Sequence, residues 1–77
     1  MESKLLKLGF KPFKDVVDCW HNEYDGFHLF IHKTKFQDTD KQKYYAIIEA
    51  FDGALVNIPN YVSFNWIKNF DDENNNW

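Results

Sequence analysis

Arginine is missing from this chain: all nine basic side chains among its 77 residues are lysines. Arginine is the usual residue for bidentate recognition of phosphates and base edges. Its absence, with a net charge of −3, argues against direct nucleic-acid binding. Cysteine is nearly as scarce. Cys19 stands alone, which excludes an intramolecular disulfide and points to a reducing compartment. Apolar runs fall well short of the roughly 20 residues that span a bilayer, and Met1–Leu6 lacks the apolar core of a signal peptide. The expected setting is the cytoplasm, with no membrane partner.

Large rings are plentiful. Eight Phe, four Tyr and three Trp can bury much apolar surface in a chain too short for more than one core. Cores of this size are often marginal, so a partner or self-association is a fair expectation. Charge is unevenly placed. Residues 1–43 hold eight Lys and seven Asp or Glu, whereas residues 44–77 hold Lys68 and five carboxylates.

The few glycines and prolines organise the chain. Ser3 is positioned to cap a short helix over Lys4–Leu8, with Gly9 as its left-handed stop and Phe10 folding back on Leu5. Pro12 prevents the helix from resuming. Asp25-Gly26 is a two-residue hairpin turn between Asp15 and Thr34. That register sets Tyr24 against Phe27, Asn22 against Leu29, Trp20 against Ile31 and Asp18 against Lys33. Val16, Trp20, Tyr24, Phe27, Leu29 and Ile31 form the expected inner face. Val17, Cys19, His21, Glu23, His28, Phe30, His32 and Thr34 form the outer one, facing water or a partner.

Gln37–Lys43 reads as a polar connector. A second hairpin turns at Asp52-Gly53, between Lys43–Phe51 and Ala54–Ile58. Read as a two-residue turn, it pairs Phe51 with Ala54, Glu49 with Val56 and Ile47 with Ile58. Tyr44, Ala46, Ile48, Ala50 and Leu55 then share the other face, so both faces are apolar and need cover. Tyr61–Ile67 alternates Val62, Phe64 and Trp66 with polar residues, and its helix propensity is poor. A fifth strand is therefore favoured over a helix capped at Asn60. The expected fold is α+β: a short N-terminal helix and an antiparallel meander of four to five strands, with a small β-barrel as the alternative closure. Residues 1–70 form one domain, and 71–77 an acidic, mobile tail.

Candidate chemistry is sparse. Cys19 falls opposite His32, with His21 and His28 on the same face, a grouping from which zinc ligands can be drawn. A fourth ligand is missing, and no metal or other cofactor is expected. Glu49, among Ile47, Phe51 and Val56, is a carboxylate that burial would make a stronger base, although a strand-edge carboxylate reaching solvent is the simpler reading. No phosphate-binding loop, nucleophile elbow or zinc-protease motif is present, so no catalytic residue is assigned and the chain is read as a non-enzyme.

Two resemblances add to this reading. Leu5-Leu6-Lys7-Leu8-Gly9-Phe10, then a strand, Gly26-Phe27-His28 and Val56-Asn57-Ile58-Pro59 together resemble HicA-type mRNA interferase toxins. That likeness implies a double-stranded-RNA-binding-like fold and ribonuclease activity carried by His28. The chain departs from the pattern in three ways. Leu29 follows His28, where the family commonly has a second histidine; the chain is acidic without arginine; and the C-terminal helix that follows the family's sheet is not evident in the sequence. By composition alone, lysine without arginine and abundant Asn, Phe, Tyr and Ile resemble small acidic accessory proteins of phages with AT-rich genomes. Many such proteins are inhibitors, of the anti-CRISPR or anti-defence type, and this likeness implies a host protein as target in the host cytoplasm. Carboxylates on a rigid scaffold can imitate phosphates and steer to basic grooves, with exposed aromatics as anchors. Glu49, Asp52, Asp71, Asp72 and Glu73, with Tyr61 and Trp77, are the candidate protein-binding residues. A solvated acidic surface explains the same charges equally well. A structural, self-associating small protein is the third reading, and the sequence leaves the oligomeric state open.

Overall fold

The computed structural model describes residues 1–34 and 43–75. Helix α1 (Glu2–Leu8) leads into β1 (Lys11–Pro12), β2 (Cys19–Tyr24), β3 (Phe27–Thr34), β4 (Lys43–Ala50) and β5 (Leu55–Asn57), and helix α2 (Phe64–Asn74) follows. The five strands form one antiparallel sheet in sequential order. It is an open meander, so the barrel alternative is set aside. The fold is α+β, as the residues suggest.

Helix α1 begins earlier than expected. The Met1 carbonyl accepts the Lys4 and Leu5 amides, both at 3.0 Å. Ser3 therefore lies inside the first turn rather than at the cap, because Met1 is itself packed against the core. The stop behaves as the sequence indicates. Gly9 adopts φ 101°, its amide reaches the Leu6 carbonyl at 3.1 Å, and the Phe10 amide reaches Leu5 at 3.0 Å. This double bond pattern satisfies the last helical carbonyls and drops Phe10 onto Leu5. Both side chains are buried.

The β2–β3 register is the one set by Asp25-Gly26, from Tyr24 opposite Phe27 to Cys19 opposite His32. The second hairpin differs by one residue. Ile48 pairs with Val56 and Glu49 with Leu55, because the turn holds three residues, Phe51, Asp52 and Gly53. The Ala50 amide donates to the Ala54 carbonyl at 2.8 Å, and the Gly53 amide to Ala50 at 2.9 Å. Gly53 takes the left-handed position that ends such a loop, at φ 95°. A one-residue slip exchanges the faces of a strand. Val56 thus joins the side of Ile48, and Leu55 moves to the side of Glu49.

Both helices pack on one face of the sheet. Leu5, Phe10 and Ile67 meet Trp20, Tyr24, Leu29, Ile31, Tyr44, Ala46 and Val62 in a single core. Fully burying side chains such as Leu29 and Ile31, each 0% exposed, contributes about 1.5–3 kcal/mol apiece. Val16 is not among them. It sits in the loop between β1 and β2 and belongs to the opposite face.

Residues 61–70 form no fifth strand. Only Val62 bridges to Tyr44, and α2 starts two residues later. Its cap is Ser63, not Asn60: the hydroxyl accepts the Trp66 amide at 3.1 Å. Helical spacing then brings Ile67, Phe70 and Asp71 to the sheet, and tertiary packing overrides weak propensity. Residues 71–74 are the last turn of this helix, not a mobile tail. Most of the Gln37–Lys43 connector, and Trp77, lie outside the described residues. Among the described residues no helix is long and apolar enough to cross a membrane.

Candidate functional site

The face of the sheet turned away from the helices is the candidate site. Alternation along the strands places Cys19, His21 and Glu23 of β2, His28, Phe30 and His32 of β3, Tyr45, Ile47 and Glu49 of β4, and Leu55 of β5 on it. Phe13 reaches over from the loop after β1, its ring edge-on to His21 at 5.3 Å and to Phe30 at 5.4 Å between centroids. Beside it runs an apolar groove of about 220 Å³ lined by Phe13, Val16, Cys19, Phe30, Ile47 and Leu55, with His32 and Glu49 at its ends. Small-molecule sites usually offer about 300–1,000 Å³ with several convergent polar groups. This groove is smaller than that, and its lining is apolar apart from His32 and Glu49.

Cys19 and His32 meet as their register requires, Sγ to Nε2 at 3.8 Å. The His32 ring stacks on Tyr45 at 4.8 Å. Burial pushes the Cys19 thiol up and the His32 imidazole down. Near pH 7 the couple is a neutral thiol beside a neutral imidazole, a poor nucleophile. Among the described residues no three His, Cys, Asp or Glu side chains gather at metal-binding distances.

One row of the register runs Glu23, His28, Glu49, Leu55 across four strands. His28 thus stands between two carboxylates on neighbouring strands, with Phe51 packed edge-on against it at 4.8 Å. Its Nδ1 is buried without a hydrogen-bond partner among the described residues. The His21 imidazole is held down by burial, with His28 and Lys11 adding to the effect and Glu23 opposing it.

The candidate acidic residues do not all share one surface. Asp71 is buried at 5% exposure and accepts from the Tyr24 hydroxyl at 2.8 Å and from Asn22 Nδ2 at 3.2 Å. It is a structural group rather than a contact for a partner. Asp52 lies exposed in the β4–β5 turn and accepts the Ala54 amide at 3.0 Å. The Phe51 amide bonds the Gly26 carbonyl at 3.1 Å, so the two hairpin turns lie side by side. Phe70 packs on Tyr24 and Phe27, which carries Asp72 and Glu73 of α2 toward the same end. Glu23, Asp25, Glu49, Asp52, Asp72 and Glu73 therefore collect at one end of the molecule. Tyr61 lies at the other, beneath the Lys43 ammonium at 5.0 Å.

Sequence reasoning missed Phe13, Val16 and Leu55 as parts of this face. The first two sit in a loop without alternation, and Leu55 was displaced by the turn length. Glu23 falls on this face as its register requires, and Asp25 sits in the turn itself. No protein-family model, curated protein or solved structure matches the chain.

Proposed function

We propose that this chain is a non-enzymatic protein-binding module whose partner docks on the helix-free face of the sheet. The observation that carries the reading is the apolar groove from Phe13 to Leu55 with Glu49 at its rim and Glu23 in the same row. Such a surface fits a partner that presents an apolar anchor beside Lys or Arg. The anchor fills a desolvated groove and supplies affinity, while the carboxylates steer the approach and fix the register. A basic, nucleic-acid-handling or defence protein of a bacterial host has that chemistry. The lysine-only, Asn- and Phe-rich composition supports a phage or mobile-element inhibitor as the setting. The test is capture of the partner by wild type and by a Glu23→Lys/Glu49→Lys variant across a salt series. Weaker capture with a flatter salt response supports the reading, and unchanged capture rejects it.

A second reading has one observation in its favour. Helix α2 completes the helix, sheet, helix order that the HicA resemblance implies, and His28 lies on the open face. This reading requires RNA cleavage by the wild type that disappears in His28→Ala.

A further inference from the structure

The two edges of the sheet are built differently. At one edge, β1 consists of Lys11 and Pro12, a lysine and a proline, which are common devices against edge-to-edge pairing. At the other edge, β5 (Leu55–Asn57) itself has neither, and the proline comes only after it, at Pro59. Its residues 54, 56 and 58 bond toward β4: Ala54 accepts from Ala50, Ile58 donates to Ala46 at 3.1 Å, and Val56 pairs with Ile48. In an antiparallel ladder the alternate residues then point their N–H and C=O outward. Those residues are Leu55 and Asn57. Among the described residues no strand pairs with this edge, and Leu55 and Val56 are 65% and 55% exposed.

The run from Gly53 to Asn60 carries no charged side chain. We infer that a second copy of the chain pairs with this edge, β5 antiparallel to β5 about a two-fold axis at Val56. In that register Leu55 faces the partner's Asn57 and Asn57 faces the partner's Leu55. The two residue pairs exchange four backbone hydrogen bonds. Val56 meets the partner's Val56 in the closely spaced, non-bonded position between them. The nearest charge, Asp52, falls opposite the partner's Asn60, so no like charges are set against one another. The arrangement is self-complementary, as a two-fold interface requires. Of the groove-lining residues it engages only Leu55, through its outward backbone groups, and it stands whether or not the groove binds a partner.

The test combines mass and exchange. Sedimentation of the wild type from ~10 μM to ~1 mM should show the 9.3 kDa monomer giving way to a species of twice that mass. Val56→Lys and Val56→Glu, each placing like charges on the axis, should remain monomeric alone and form a 1:1 heterodimer when mixed. Amide exchange at Leu55 and Asn57 should slow as wild-type concentration rises, while Val56, already bonded to β4, does not change. That last measurement decides the matter on the wild type if a variant fails to fold. A monomer throughout the range, a dimer that persists in Val56→Lys, or concentration-independent exchange at Leu55 and Asn57 would each overturn the inference.

Discussion

Tyr24 and Asp71, 47 positions apart in sequence, are joined by a buried hydrogen bond of 2.8 Å from phenol to carboxylate. It fastens the end of β2 to the last turn of α2, with Asn22 adding a second donor at 3.2 Å. The helix that looks like a polar tail in sequence is thereby fixed to the core. Tyr24→Phe should lower stability by about 1–3 kcal/mol, because the carboxylate stays buried with one donor fewer. Urea denaturation measures the change, and a loss well under 0.5 kcal/mol would deny the bond this role.

Alkaline pH should attack the same contact. Burial raises the Tyr24 phenol well above its ordinary value, with the Asp71 hydrogen bond and charge adding to the effect. A group with a raised folded-state value stabilises the fold fully below its unfolded value and loses that contribution as pH rises toward the folded one. Stability should therefore decline from about pH 10 upward, and the slope should be shallower in Tyr24→Phe. Parallel profiles for the two proteins would count against the assignment.

On the acid side His21 and His32 contribute. Burial lowers His32, and burial with neighbouring positive charges lowers His21. The contribution of a depressed base is complete above its unfolded value and fades as pH falls through the folded one. Thermal midpoints should drop below about pH 6.5, and a His21→Gln/His32→Gln variant should show less of that drop. A midpoint that is flat in the wild type between pH 7 and 5 would contradict this.

Cys19 should be a slow thiol. It is 3% exposed, raised by burial and beside an imidazole that is neutral near pH 7. Reaction with a disulfide reagent at pH 7.5 should be at least about tenfold slower in the folded protein than in urea. Equal rates would mean that the groove does not shield the sulfur.

These residues also show what the sequence discloses and what it hides. The register of the first hairpin was legible from Tyr24 opposite Phe27 to Cys19 opposite His32, because Asp25-Gly26 fixes a two-residue turn. Its first strand, however, starts at Cys19 and not Asp15: Asp18 takes φ 57° and Val16 stays in the loop. The second was legible only to within one residue. Asp52-Gly53 is the same dipeptide, but Gly53 closes a three-residue loop, and dipeptide identity does not report loop length. Helix α2 was hidden because Val62, Phe64 and Trp66 satisfy a strand period while Ser63, Ile67, Phe70 and Asp71 satisfy a helical one. Only contact with the sheet chooses between them. Asp52 lies in the β4–β5 turn, outside the helix-free face. Of that face, Cys19, His21, Glu23, His28, Phe30 and His32 were legible from the register of the first hairpin. The groove itself was not, because it is assembled from a loop and from a strand shifted by one position.

The central claim is that the helix-free face, and not the helix face, receives the partner. Capture from a bacterial lysate by three immobilised proteins tests it: wild type, Ile47→Asp in the groove, and Asp72→Lys/Glu73→Lys on α2. The account expects one protein retained by wild type and by the α2 variant and lost with Ile47→Asp, while all three baits keep the wild-type circular dichroism. Equal retention by Ile47→Asp, or loss confined to the α2 variant, would contradict it.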